Sequence, residues 1–81
     1  MKVQVRLFAV ARQAAGRDSV ELDFPGEATI GQLRGQLAAQ IPQLAGLMGQ
    51  MTFAIGARYA ADETVIPVGA EVACIPPVSG G

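Results

Sequence analysis

Apolar and polar residues alternate along residues 2–9 and 19–24, which is the period of a strand with one buried face. The predicted inward side chains of these two strands are Val3, Val5, Leu7, Val20, Leu22 and Phe24. Phe8 falls on the opposite face. Between the strands, residues 10–15 are helix formers, and Gly16 supplies a C-terminal cap.

A helical period follows the second strand. Thr29 and Gln32 have the spacing of a capping box. Apolar residues then recur every three or four positions, as on one face of a helix. They are Ile30, Leu33, Leu37 and Ile41. Gly35 weakens the helix and Pro42 ends it, and residues 43–50 are predicted to form a loop or a short helical turn.

The second half of the chain has the pattern of short strands. Residues 51–55 and 58–60 are predicted to pair around a turn at Gly56. Residues 65–66 are interpreted as another short piece of strand, and residues 71–75 as the last strand.

The order of strand, strand, helix and further strands predicts an α+β fold of the β-grasp, or ubiquitin-like, type. Its mixed sheet has the first and last strands parallel in the middle, and one main helix packs on one face. A chain of 81 residues holds one core. We therefore expect one domain over residues 1–77, followed by a flexible C-terminal tail over residues 78–81.

The composition of the chain narrows the range of possible functions. Six basic and seven acidic residues, without a run of either sign, argue against a nucleic-acid or membrane partner. The single cysteine, Cys74, cannot form an internal disulfide and fits a cytoplasmic protein. Its alternation with Val72 places it in the core. Without histidine or metal-ligand spacing, we do not expect an enzyme that acts alone.

The C-terminal residues carry the clearest chemical signal. Pro76 and Pro77 end the last strand because proline lacks a backbone donor. Gly80 and Gly81 have no Cβ, so an extended diglycine can enter a narrow channel with its terminal carboxylate accessible. That carboxylate needs activation, for example by ATP-dependent adenylation, before a sulfur nucleophile can attack it. The sequence has no phosphate-binding glycine loop, so another protein must activate it.

These features resemble a known family. Residues 7–12 with Gly16, the pair Thr29-Ile30 leading to Leu33, and residues 71–81 are similar to the small subunits of molybdopterin synthase, which are ubiquitin-like sulfur carriers. The resemblance runs from end to end, and Pro-Pro-Val-Ser-Gly-Gly is its most specific part.

The resemblance implies a role for each tail residue. Gly81 would be adenylated by an E1-like adenylyltransferase that uses ATP, and then converted to a thiocarboxylate, with Gly80 as its thin neighbour. The tail would enter the large synthase subunit and give sulfur to cyclic pyranopterin monophosphate. The chain itself would bind no cofactor and no metal. It would be a non-catalytic donor, with the catalytic residues in the large subunit.

A docking patch is expected on the sheet face opposite the main helix. Phe8 and Ile75 are predicted to be exposed apolar residues on adjacent strands, which is typical of an interface. The residues predicted to contact partners are Phe8, Ile75, Pro76, Pro77, Val78 and Ser79. Arg6 and Arg12 either flank this patch or are simply solvated.

Three other functions are consistent with the same pattern. The chain could carry sulfur for thiamine or another sulfur metabolite. It could be a ubiquitin-like modifier that is conjugated to lysines, or a β-grasp binding module with an idle tail.

Overall fold

The structure is a computed structural model that describes residues 1–77. Its elements are, in chain order, β1 (Lys2–Leu7), α1 (Ala9–Ala15), β2 (Ser19–Asp23), α2 (Ile30–Gln40), a 3-10 helix (Pro42–Leu44), β3 (Thr52–Ile55), β4 (Arg58–Ala60) and β5 (Glu71–Ile75). Apart from the short piece expected at residues 65–66, the predicted strands and helices are confirmed, and their ends differ from the prediction by at most two residues.

The five strands form one mixed sheet in the order β2-β1-β5-β3-β4. β1 and β5 are parallel, and every other neighbouring pair is antiparallel. The predicted β-grasp arrangement is therefore confirmed, with β5 as the central strand. Because β1 and β5 run the same way, both of their carboxyl ends lie at one end of the sheet.

The core lies between one face of the sheet and α2. Its fully buried side chains include Val3, Val5, Leu22, Ile30, Leu33, Leu37, Phe53, Val72 and Cys74. Burying a side chain of this size contributes about 1.5–3 kcal/mol relative to leaving it in water. Both periodicities in the sequence, two for strands and three to four for α2, therefore direct side chains into the same core.

The start of α2 is held by two kinds of hydrogen bond. In the predicted capping box, the Gln32 N–H donates to Thr29 Oγ1 at 3.2 Å, and the Thr29 N–H donates to Gln32 Oε1 at 2.9 Å. The Gly31 N–H donates to the Asp62 carbonyl at 2.9 Å. Donors that a helix start leaves unpaired are thus satisfied by the segment that follows β4.

The predicted short strand at residues 65–66 is wrong. Only a single bridge forms there, between Val65 and Thr29. The Ile66 N–H donates to the Ala28 carbonyl at 2.9 Å, so this segment bonds to the residues before α2 rather than to the sheet.

The connection from β1 to α1 is a tight reversal. Ala9 has φ of 51°, the left-handed region, which costs a residue with a side chain about 1–2 kcal/mol. Gly16, with φ of 73°, closes α1, and its N–H donates to the Arg12 carbonyl at 2.9 Å, as the sequence predicted for a glycine cap. Within residues 1–77, no helix is long and apolar enough to span a bilayer.

Candidate functional site

The chain leaves the sheet from its central strand. β5 ends at Ile75, Pro76 is half-buried and Pro77 is exposed. Neighbouring strands flank β5 on both sides, so the exit of the chain has a fixed position relative to the whole sheet. The predicted tail residues Val78, Ser79, Gly80 and Gly81 lie outside the described residues.

The sheet face opposite α2 has small residues at its centre. The strand register aligns Arg6, Ala73, Ala54 and Tyr59 in one row across four strands. Ala54 is buried although it lies on this face, whereas Tyr59 is 67% exposed. The face is therefore a shallow surface with alanines in the middle and larger side chains at its margins.

Phe8 occupies one margin of this face. Its side chain is 42% exposed, and the Arg6 guanidinium carbon lies 5.8 Å from the centre of its ring. The sequence placed Phe8 within the first strand, but β1 ends at Leu7, because the left-handed backbone of Ala9 reverses the chain. Phe8 remains extended, with φ of −123° and ψ of 152°, and serves as the residue before α1.

Ile75 lies next to Phe8, since the Phe8 N–H donates to the carbonyl of Cys74 at 3.2 Å. The expectation that Ile75 is exposed is wrong, because its side chain is half-buried. It is the last residue of a strand with a partner on each side, and Thr52 of β3 stands opposite it. The structure thus brings Phe8, Ile75 and Pro76 together at the point where the chain leaves the sheet.

Cys74 is a core residue, as the sequence predicted. Its side chain is fully buried, between Leu7 of β1 and Phe53 of β3 in the strand register. Burial raises the pKa of this thiol to about 11, against a smaller lowering by the charge of Arg34. The thiolate is the reactive form, so Cys74 is an inert thiol at neutral pH.

Arg34 is a residue whose importance the sequence did not reveal. Its guanidinium donates to Asp62 Oδ1 and to the Met51 carbonyl, both at 2.8 Å, and also to the Met48 carbonyl. It lies 4.8 Å from the centre of the Phe53 ring. The three residues that accept these hydrogen bonds lie 14, 17 and 28 residues away in the chain, and two of them accept through backbone oxygens. No local sequence pattern therefore predicts these contacts. Arg34 ties α2 to the segments before β3 and after β4.

Two open grooves adjoin each other around Val65 and Pro67. One has a volume of about 470 Å³ and also contains Met1 and Val68, and the other, of about 330 Å³, contains Tyr59. Neither groove contains a cysteine or a pair of carboxylates. In the part of the chain that the structure describes, no group of three His, Cys, Asp or Glu side chains is placed to hold a metal ion.

Comparison with known proteins identifies the family to which the chain belongs. The sequence pattern of the ThiS family matches residues 5–81. The chain belongs to the ThiS family. This match spans nearly the whole chain, including the tail whose terminal residues the sequence singled out.

Curated relatives of this family member carry a shared name. A protein of Chlamydomonas reinhardtii is 34% identical over 83 residues, covering 100% of both chains, and is called molybdopterin synthase sulfur carrier subunit. A human protein with the same name is also 34% identical, covering 99% of this chain and 94% of its own length. The family and these relatives support a sulfur carrier role.

Solved structures agree on the fold. Small archaeal modifier protein 1 of Haloferax volcanii is 28% identical with a TM-score of 0.87, and the match covers 100% of both chains. The complex of subunits 1 and 2 of the molybdopterin-converting factor from Helicobacter pylori contains a chain that is 21% identical, with a TM-score of 0.70 and 100% coverage of both chains. At that identity the second likeness concerns the fold alone.

Proposed function

We propose that this chain is the sulfur-donating subunit of a molybdopterin synthase. Gly81 is its working residue. The Gly81 carboxylate attacks the α-phosphate of ATP on an E1-like adenylyltransferase, and pyrophosphate leaves. A hydrosulfide equivalent then displaces AMP from the acyl-adenylate and gives a thiocarboxylate. Its sulfur attacks cyclic pyranopterin monophosphate in the large subunit, and water then cleaves the acyl–sulfur bond, which leaves the sulfur on the pterin and restores the Gly81 carboxylate. Two such transfers provide the dithiolene sulfurs of molybdopterin.

The full-length similarity to curated sulfur carrier subunits is the observation that carries this proposal. The described residues are compatible with a donor that does not catalyse. Cys74, the one thiol, is buried and protonated at neutral pH, so it is a poor relay for sulfur. The chemistry therefore falls to the terminal carboxylate. In this proposal ATP binds the activating enzyme, and this chain holds no cofactor.

The docking surface that we propose is the sheet face around the chain exit. It comprises Phe8, Ile75, Pro76 and Pro77 among the described residues, and the proposal adds Val78 and Ser79 as tail contacts. An apolar side chain that is 42% exposed beside a shallow row of alanines is suited to contact with a complementary protein. Docking there would leave α2 and the core undisturbed.

A reconstitution with the activating enzyme, ATP, a sulfur source and the large subunit tests the proposal. We expect the intact protein to gain the mass difference between sulfur and oxygen at Gly81, and molybdopterin to form. Deleting Gly81, or adding a residue after it, should abolish product, because one extended residue shifts the reacting carbonyl by about 3.3 Å. The melting temperature should stay the same.

The control for this experiment is Gly49→Ala. Gly49 is an exposed glycine of the domain body, and a Cβ there would meet nothing within 4 Å. This variant should form product like the unaltered protein. Full product formation by the protein that lacks Gly81 would refute the carrier mechanism.

A ubiquitin-like modifier is the second candidate, because the archaeal structure with a TM-score of 0.87 is that of a small modifier protein. The same activated Gly81 would then form an isopeptide bond with a lysine amine as AMP leaves. Conjugates of this chain to other proteins that form with ATP and the activating enzyme, without a sulfur source, would favour the modifier function. Sulfur gain without molybdopterin formation would point to another sulfur acceptor, such as a thiamine precursor.

A further inference from the structure

Three of the five arginines of this chain lie near one end of the sheet. Arg6 is near the carboxyl end of β1, Arg12 is in the last turn of α1, and Arg17 precedes β2. β2 is antiparallel to β1, with Ser19 opposite Arg6, so the start of β2 lies at the same end of the sheet. We call these three exposed residues the arginine rim. It lies at the end where β5 terminates and the chain leaves the sheet.

The opposite end of the same sheet is balanced in charge. Its cationic groups are the N-terminal ammonium, Lys2 and Arg58, and its carboxylates are Glu21, Asp23 and Glu71. Asp18 is the single acidic residue among the rim and its connecting segment. The whole chain has a net charge of only −1, so the excess of positive charge is local to the rim. Such a local excess gives the molecule an electrostatic direction.

The arginines of the rim form few ion pairs within the part of the protein that the structure describes. Arg12 contacts Asp18 at 3.8 Å, with the two side chains 59% and 80% exposed, and exposed pairs of this kind stabilise a fold by about 0–1 kcal/mol. Among residues 1–77, neither Arg6 nor Arg17 has a carboxylate within salt-bridge distance. Arg6 instead lies over the ring of Phe8, which joins the rim to the apolar part of the docking surface.

We propose that the arginine rim selects protein partners that carry an acidic border around the channel that receives the tail. The inference rests on the proposed function, because it concerns the surface that must dock before Gly81 reacts. Opposite charges attract the acidic border of the partner to the rim as it approaches, and so turn the tail-bearing end of the sheet toward it. Complementary charges at an interface margin act mainly on the association rate and on specificity. Guanidinium groups are suited to this because they pair with carboxylates through two hydrogen bonds.

The test is the association rate with the large molybdopterin synthase subunit, measured by stopped flow at low and at physiological ionic strength. The double variant Arg12→Glu, Arg17→Glu is compared with Lys2→Glu, which alters an exposed cation at the other end of the sheet. We expect the double variant to associate about tenfold or more slowly at low salt and to lose most of the salt dependence. Lys2→Glu should stay within about twofold of the unaltered protein.

Two outcomes separate the proposals. If the unaltered protein binds but the double variant associates at the same rate, or if Lys2→Glu is slowed equally, the rim has no selective role and the proposed function stands. If the unaltered protein does not bind the large subunit at all, the proposed function fails and this inference fails with it. Equal melting temperatures of the three proteins exclude a folding defect as the cause.

Discussion

At the scale of single residues, Cys74 illustrates how position in the sheet determines chemistry. In a sulfur carrier, the same thiol at the surface would be a candidate for carrying the sulfur. On the central strand it has strand neighbours on both sides and the core on its face, so its neutral form is favoured. Its role is packing, and the sulfur chemistry proposed here does not pass through it.

The raised pKa of Cys74 predicts how stability depends on pH. The pKa of the Cys74 thiol is about 11 in the folded protein, whereas its ordinary value, which applies to the unfolded chain, is 9.0. Folding therefore favours the protonated form of the thiol. Its stabilising contribution is complete below pH 9 and is lost as pH rises from about 9 through 11. Denaturant titrations across this range should show falling stability.

Cys74→Ala is the control for that titration. It removes the titrating group, so its stability should change less between pH 9 and pH 11, although the cavity makes it less stable at pH 7. Identical slopes for the two proteins would show that the thiol is not responsible. Cys74→Ser should keep sulfur transfer while it lowers stability, because a buried hydroxyl replaces a thiol.

At the scale of elements, the glycines have opposite roles in the two helices. Gly16 is needed for its left-handed backbone at the end of α1. Gly35 lies in the middle of α2, is exposed, and leaves open space where a Cβ would be. The first glycine makes a connection possible, whereas the second only weakens the helix that contains it.

A pair of alanine substitutions tests this contrast. Gly35→Ala should raise the free energy of unfolding by about 0.5–1 kcal/mol, because alanine loses less backbone entropy in a helix. Gly16→Ala should lower it by about 1 kcal/mol, because φ of 73° is unfavourable for any residue with a Cβ. Chemical denaturation measures both. Changes of the same sign would contradict the assignment of either backbone conformation.

At the scale of the whole molecule, the parallel pairing of β1 with β5 assembles the proposed docking surface. It joins the first and last strands in the middle of the sheet and brings Phe8 beside the exit of the chain. The two grooves around Val65 lie elsewhere, along β4 and the segment before β5. A docking surface at the exit therefore differs from these grooves in its residues.

Phe8→Asp tests the docking surface. The charge would be solvated in the free protein but desolvated in the complex, so affinity for the large subunit should fall by at least tenfold, about 1.4 kcal/mol. Stability should fall by no more than about 1 kcal/mol, because the ring is already partly exposed. Titration calorimetry measures the affinity.

The control for Phe8→Asp is Val68→Asp, which introduces the same charge at a side chain that is 88% exposed, ahead of β5. It should bind the large subunit normally. Equal losses of affinity would mean that charge, rather than position, causes the effect. Unfolding of the Phe8 variant would show that this side chain belongs to the core.

The sequence by itself determined the features that depend on neighbours within one or two turns. Strand alternation, the capping box of Thr29 and Gln32 and the cap at Gly16 are local, so residue identity is enough to predict them. Only the tertiary structure decided that β1 ends before Phe8, that Ile75 is half-buried, and that Arg34 binds two segments far from it in the chain. These outcomes depend on contacts between residues far apart in the chain, because a backbone reversal, a side chain's exposure and a long hydrogen-bond donor all respond to whichever strand or loop packs beside them.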